Sequence, residues 1–176
     1  MRKIATLAFV AALAITIIAC SSGGSGSKSN GGNSTGKPAS SGTNVAGLNQ
    51  PVRDGKFEFT VTDVNCGATT VGPADLGKTA QGQFCQVGVT VKNIGNQAQT
   101  FDGSSQKAYD ASHTQFSDDT TAEVYANQNN QTFLQQINPG NQVKGILVFD
   151  VPKTTKITTL ELHDSPFSSG VKVKVG

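Results

Sequence analysis

Residues 85–92 read Cys85-Gln86-Val87-Gly88-Val89-Thr90-Val91-Lys92, and this stretch decides the fold class. Cys85, Val87, Val89 and Val91 occupy every second position, with Gln86, Gly88, Thr90 and Lys92 between them. A period of two places the apolar set on one face of a strand; a helix face would need a period near 3.6. One face is therefore meant for a core and the other for a polar surface. Asn93-Ile94-Gly95-Asn96 then reads as a turn leading to a run centred on Thr100 and Phe101.

The same grammar extends both ways from this strand. Upstream, Phe57, Phe59 and Val61 alternate with Glu58, Thr60 and Thr62. Between the two strands, 67–82 is polar and carries Gly72 and Pro73, so it reads as a loop. Downstream, 102–130 has no regular period; Tyr109 and Phe116 read as inward anchors of short strands, with turns at Asp102-Gly103 and Asp118-Asp119. Thr132 to Ile137 is a further strand candidate, followed by a turn at Asn138-Pro139-Gly140. Val143 to Val151 is almost continuously apolar, which predicts a central strand ended by Pro152. Ile157 to Leu162 and Val171 to Val175 complete an all-β domain over 50–176.

The chain before this domain has a different character. Arg2 and Lys3 precede an apolar run from Ile4 to Ala19, which is the layout of an export signal over 1–19. A spanning helix needs about 20 apolar residues, and this run is shorter. Ile17-Ile18-Ala19-Cys20 resembles the lipobox of bacterial lipoproteins. That resemblance implies lipid transfer to the Cys20 sulfur, cleavage before it, and a mature chain held on the outer face of the cell membrane. Residues 20–49 are dominated by Gly, Ser and Asn and bury too little to fold, so they read as a flexible tether. A Gly/Ser coil of that length spans roughly 30 Å. Thr35, Ser40, Ser41 and Thr43 are open to O-linked sugars, although a solvated spacer suffices.

Of 176 residues, 15% are charged, and the net charge of +2 vanishes with Arg2 and Lys3. No electrostatic case for a nucleic-acid partner exists. In an exported chain, the remaining pair Cys66 and Cys85 reads as one disulfide, closing the loop between the first two strands.

The blocks Val87-Gly88-Val89-Thr90-Val91-Lys92-Asn93-Ile94-Gly95, Phe101, Tyr109, Ile137-Asn138-Pro139-Gly140, Gly145 to Pro152 and Leu160-Glu161-Leu162 carry a resemblance. Together they resemble a bacterial extracellular domain of unknown function, usually found on lipoproteins and related to a secreted mycobacterial immunoprotective antigen family. The resemblance implies an immunoglobulin-like (telokin-like) antiparallel β-sandwich. It supplies no catalytic residues.

The chain contains no nucleophile elbow, zinc-protease helix or phosphate-binding loop. His113 and His163 are far apart and read as surface histidines; with both cysteines paired, no zinc site is expected. Asp102, Asp110, Asp118 and Asp119 would have to converge to hold calcium, and their spacing matches no calcium loop. Residues 127–131 with Gln135, Gln136 and Tyr125 form an amide-rich patch suited to sugar or peptide contacts, or simply to solvent. The expectation is a non-catalytic module with no cofactor or metal, membrane-held through Cys20. It would bind a cell-surface protein through the loops 67–82 and 102–130. The alternative is a binder of a small ligand, metal or cell-wall glycan, which a concave pocket with converging Asp or Tyr would favour. A buried Ser–His or carboxylate pair would reopen a hydrolase reading.

Overall fold

The computed structural model describes residues 45–128, 133 and 135–176. The expected signal segment, Cys20, the expected tether up to residue 44 and positions 129–131 of the amide patch lie outside the described residues. The strands are β1 (Val52–Asp54), β2 (Phe57–Val71), β3 (Lys78–Asn93), β4 (Gln99–Thr100), β5 (Lys107–Asp110), β6 (Gln115–Ser117), β7 (Gln136–Ile137), β8 (Gln142–Val151), β9 (Ile157–Leu162) and β10 (Val171–Lys174). Among the described residues a helix, α1 (Thr120–Ala126), and a 3-10 turn at Gly103–Ser105 interrupt them.

The strands form a first sheet ordered β1-β2-β3-β8, a second ordered β10-β9-β5-β6, and a small pair β4-β7. Every named strand pair is antiparallel. The alternation that opens the sequence works as expected: Val87, Val89 and Val91 are buried with Phe57, Phe59 and Val61 beside them. Across the interior they meet Ala108, Leu160, Leu162 and Val173 of the second sheet. The fold is an antiparallel β-sandwich. Phe101 joins its core, with ring centroids 6.0 Å from Phe57, 5.9 Å from Phe59 and 4.8 Å from Phe133. Gly145 has no Cβ because the Phe133 ring lies against its backbone.

Asn93 turns the chain as expected: its side chain donates to Gln97 O and Ile137 O at 2.7 Å each and accepts from Gly95 N at 2.8 Å. Gly140 takes a φ of 80° in the Asn138-Pro139-Gly140 turn, a conformation that glycine adopts without strain.

Four expectations change. Residues 67–82 are mostly strand, because Thr70 pairs with Thr79 and Val71 with Lys78, leaving only a tight turn over 72–77. The threonine- and valine-rich sequence favours extension, while Gly72 and Pro73 confine the reversal. The disulfide does join Cys66 to Cys85, but as direct partners inside the β2–β3 ladder instead of across a loop. β8 lies at the edge of its sheet, not at the centre. Its apolar run is explained by cover on both faces: Leu147, Phe149 and Val151 enter the main core, and Val148 enters a second cluster outside the sheet with Val71, Phe84 and Ala122. Finally, the domain begins before residue 50, since Ala46 bridges Val173 and Asn49 N–H donates to Val61 O at 2.7 Å.

The second cluster is built by the segment expected to be irregular. Asp119 caps α1, its carboxylate accepting from Ala122 N at 3.0 Å. Asn127 closes the other end, donating to Glu123 O at 2.8 Å. Asn127 also exchanges two bonds with Ile146, 2.7 and 2.9 Å, and Asp118 and Asp119 do the same for Val148 at 2.9 and 2.7 Å. Thus the free edge of β8 is occupied at Ile146 and Val148, and α1 is held against Phe84 and Val148.

Candidate functional site

Strand register brings a row of chemistry onto the outer face of the second sheet. Lys107 pairs with Glu161 and Glu161 with Lys172; Tyr109 pairs with Thr159 and Thr159 with Lys174. Because alternate residues share a face, Lys107, Tyr109, Thr159, Glu161, Lys172 and Lys174 all point away from the core. Tyr109 therefore faces outward, contrary to its expected role as an inward anchor; its neighbour Ala108 fills the interior. Tyr109 OH donates to Gln115 Oε1 at 3.2 Å, and Lys172 Nζ lies 5.9 Å from the ring centroid, within cation–π range. Burial, then the charge and hydrogen bond of Glu161, push the Tyr109 phenol above its usual value, so it stays protonated near neutral pH.

These residues border a surface groove of about 400 Å³, lined by Val45, Tyr109, His113, Thr158, Thr159, Lys172 and Lys174. The β5–β6 turn forms one end. Asp110 Oδ1 accepts from Ser112 N and Thr114 N at 2.8 Å each, fixing the turn while His113 takes a φ of 63°. A second cavity, about 340 Å³, is bordered by Gln81, Gly82, Asp119, Asp150, Val151 and Pro152. Its carboxylates are already committed. Asp150 accepts from Gln81 N and Gly82 N at 2.7 and 3.0 Å, and Asp119 holds Lys78 Nζ at 2.6 Å. Burial works to raise Asp119, but the Lys78 contact and the helix N–H groups outweigh it and lower the carboxyl below its ordinary value.

The acidic residues do not converge as one set. Asp102 caps the 3-10 turn by accepting from Ser104 N at 2.9 Å, Asp110 caps the β5–β6 turn, and Asp118 and Asp119 bind β8. No group of three or more metal-ligating side chains occurs among the described residues. Asp118 and Glu123 nevertheless form a pair of neighbouring buried carboxyls, and Asp118 Oδ2 and Glu123 Oε2 have no hydrogen-bond partner. Burial, then the Glu123 charge, push Asp118 up to about 9; burial raises Glu123 too. A proton held on Asp118 relieves the repulsion between two buried anions. Glu123 lies against Gly103, where any Cβ would collide with its carboxylate.

A Ser–His contact is present as well. His163 is buried, not on the surface as expected. Its Nε2 lies 3.0 Å from Glu161 Oε1, and its Nδ1 lies 3.3 Å from both the Ser168 carbonyl and Ser168 Oγ. Ser168 Oγ donates to Ser165 O at 3.0 Å, so its proton is directed into the loop and away from the imidazole. A hydrolytic serine needs its proton aimed at the base and open access for a carbonyl. Neither this cluster nor the Asp118–Glu123 pair borders either cavity. Both arrangements are internal fastenings of the fold: Gln106 completes the first by bonding His163 N and O at 2.8 and 3.1 Å.

Residues 46–173 match the family described as a domain of unknown function, DUF4352. The chain belongs to this family. No curated protein matches the chain. Among solved structures it resembles the yjhA protein of Bacillus subtilis, with TM-score 0.57 and 16% identity over 75% of this chain and 100% of that one. It also resembles the secreted protein MPT63 of Mycobacterium tuberculosis, with TM-score 0.52 and 15% identity over 77% and 99% of the two chains. A candidate lipoprotein of Bacillus subtilis, ycdA, matches at TM-score 0.50 and 22% identity over 70% of this chain and 38% of its own. At these identities the likeness concerns the sandwich alone.

Within this DUF4352 domain, the expected contact loops are not free loops: 67–82 is ladder apart from the turn over 72–77, and the start of 102–130 and α1 pack on the sandwich. In the amide patch, Asn127 is buried on β8 and Tyr125 packs in the outer cluster. The groove went unread because its residues are scattered over β5, β9, β10 and one turn. The available signal was Lys172 and Lys174 alternating with Val171, Val173 and Val175.

Proposed function

We propose that this chain is a lipid-anchored, extracytoplasmic binding module without catalytic activity, presenting the outer face of its second sheet to a ligand at the bacterial cell surface. The groove bordered by Tyr109, Lys172 and Lys174 carries this reading, because it joins an aromatic ring, hydroxyls and cations in one concavity. The export-type segment ending at Cys20 supports the location, and so do the secreted and candidate-lipoprotein descriptions of two structural relatives. The groove favours the ligand-binding alternative over partner docking by strand addition. Strand addition needs free backbone groups, and those of Ile146 and Val148 on β8 are taken by Asn127, Asp118 and Asp119.

Metabolic labelling with a fatty acid, combined with protease treatment of intact cells, tests the reading. Wild type should carry label and be cleaved from outside, whereas Cys20→Ala should lose the label and the membrane association. Label retained by Cys20→Ala, or protection of wild type from external protease, would contradict it.

A further inference from the structure

Resting on the reading of this chain as a binding module, we propose that the groove of Tyr109, His113, Thr158, Thr159, Lys172 and Lys174 binds an acidic glycan, meaning a polysaccharide bearing carboxylate or phosphate groups. Charge comes first: the lining contains two lysines and no carboxylate. Among the described residues Lys174 forms no ion pair. Lys172 Nζ lies 3.6 Å from Glu161 Oε2, which offsets one charge, but Lys107, Lys172 and Lys174 share the outward face with Glu161 and leave it an excess of cations. Anions are thus the complementary occupants.

The geometry selects a chain of charges over a single anion. Lys172 and Lys174 stand two residues apart on β10, about 7 Å along the strand. Repeated charges on a polymer suit that spacing. The remaining lining suits sugar. The Thr159 hydroxyl has no hydrogen-bond partner among the described residues, and Tyr109 adds a protonated phenol and a ring face. The β5–β6 turn that carries His113 is fixed by Asp110, which keeps the concavity formed before binding.

The test uses the full chain in neutral detergent, titrated with polygalacturonate, poly(glycerol phosphate) and neutral dextran. Saturable binding to at least one charged polymer, weakened by salt and absent for dextran, is the expected result. The Lys172→Ala/Lys174→Ala variant should bind at least about tenfold more weakly, while Lys153→Ala/Lys156→Ala binds as wild type. Circular dichroism melting of both variants should match wild type, which separates lost binding from lost folding. Equal binding of dextran, lost in Tyr109→Ala but kept in the double lysine variant, would overturn the acidic-glycan assignment and leave the binding module standing. No binding of any polymer, or charged-polymer binding unaffected by the double lysine variant, overturns the assignment. So does capture of a Cys20→Ser chain by phosphatidylglycerol vesicles when neither charged polymer binds.

Discussion

The two sheets of the sandwich share one core but treat their outer faces in opposite ways. In the first sheet, Phe84 and Val148 point away from the core and are still fully buried, because α1 and its flanks cover them. In the second, no element among the described residues lies over the outward row of Lys107, Tyr109, Thr159, Glu161, Lys172 and Lys174, which borders a groove. The covered face spends its polar groups on holding a lid in place. The uncovered face keeps cations and hydroxyls available. The difference underlies the proposal: the acidic cluster near α1 serves the architecture, and the basic face is the proposed binding surface.

The largest expected effect tests whether the first face is truly covered. Phe84→Ala should cost about 3–5 kcal/mol of stability, read as a lower urea midpoint. A cost near zero would mean that α1 does not pack on the sheet. Loss of the ladder disulfide by Cys66→Ala/Cys85→Ala should follow, at about 3 kcal/mol in the chain-entropy picture; a free thiol at either cysteine of the exported protein would contradict the bond. Asn127→Ala strips partners from Ile146 N–H and C=O and should cost about 1–3 kcal/mol, with faster amide exchange at Ile146. Unchanged exchange there would show the β8 edge to be protected by something else.

The carboxyl pair sharpens the comparison through pH. Asp118 rises from an ordinary carboxylate value to about 9 in the folded chain. The folded state therefore holds a proton that the unfolded state has released, so this group favours folding most below about pH 4. Its contribution declines as pH climbs and is gone above about 9. Asp119, lowered by Lys78, acts in the opposite sense and loses its contribution in acid. Asp118→Asn keeps an acceptor for Val148 N–H and removes the titrating carboxyl, so its stability should fall less than that of wild type between pH 5 and 9. Parallel profiles would exclude a protonated Asp118. The smallest effect belongs to the other face: Lys172→Ala/Lys174→Ala should alter stability by no more than about 0.5 kcal/mol.

How much of this was legible follows from where the physics is local. Val87, Val89 and Val91, Phe57 and Phe59, and the Asn138-Pro139-Gly140 turn declare themselves, because periodicity and φ preference act within a few residues. β8 misled because a continuous apolar run signals burial on both faces without saying whether sheet strands or a helix provide it. α1 spans only seven residues, too few for an apolar period; its one local mark is Asp119 ahead of Thr120-Thr121-Ala122. The groove was not legible at all as a place. Tyr109, Thr159 and Lys174 become neighbours only through the registers of β5, β9 and β10, which single-strand patterns do not encode. His163 likewise reads as an ordinary polar residue until Gln106, 57 positions away, is seen to hold it.

Site-specific photo-crosslinking in living cells tests the central claim most directly, with the crosslinker at Thr159 on the uncovered face or at Thr121 on α1. The account predicts crosslinked cell-surface material from Thr159 and none above background from Thr121. Capture from Thr121 with silence at Thr159 would contradict it and move the binding surface to the face that α1 covers.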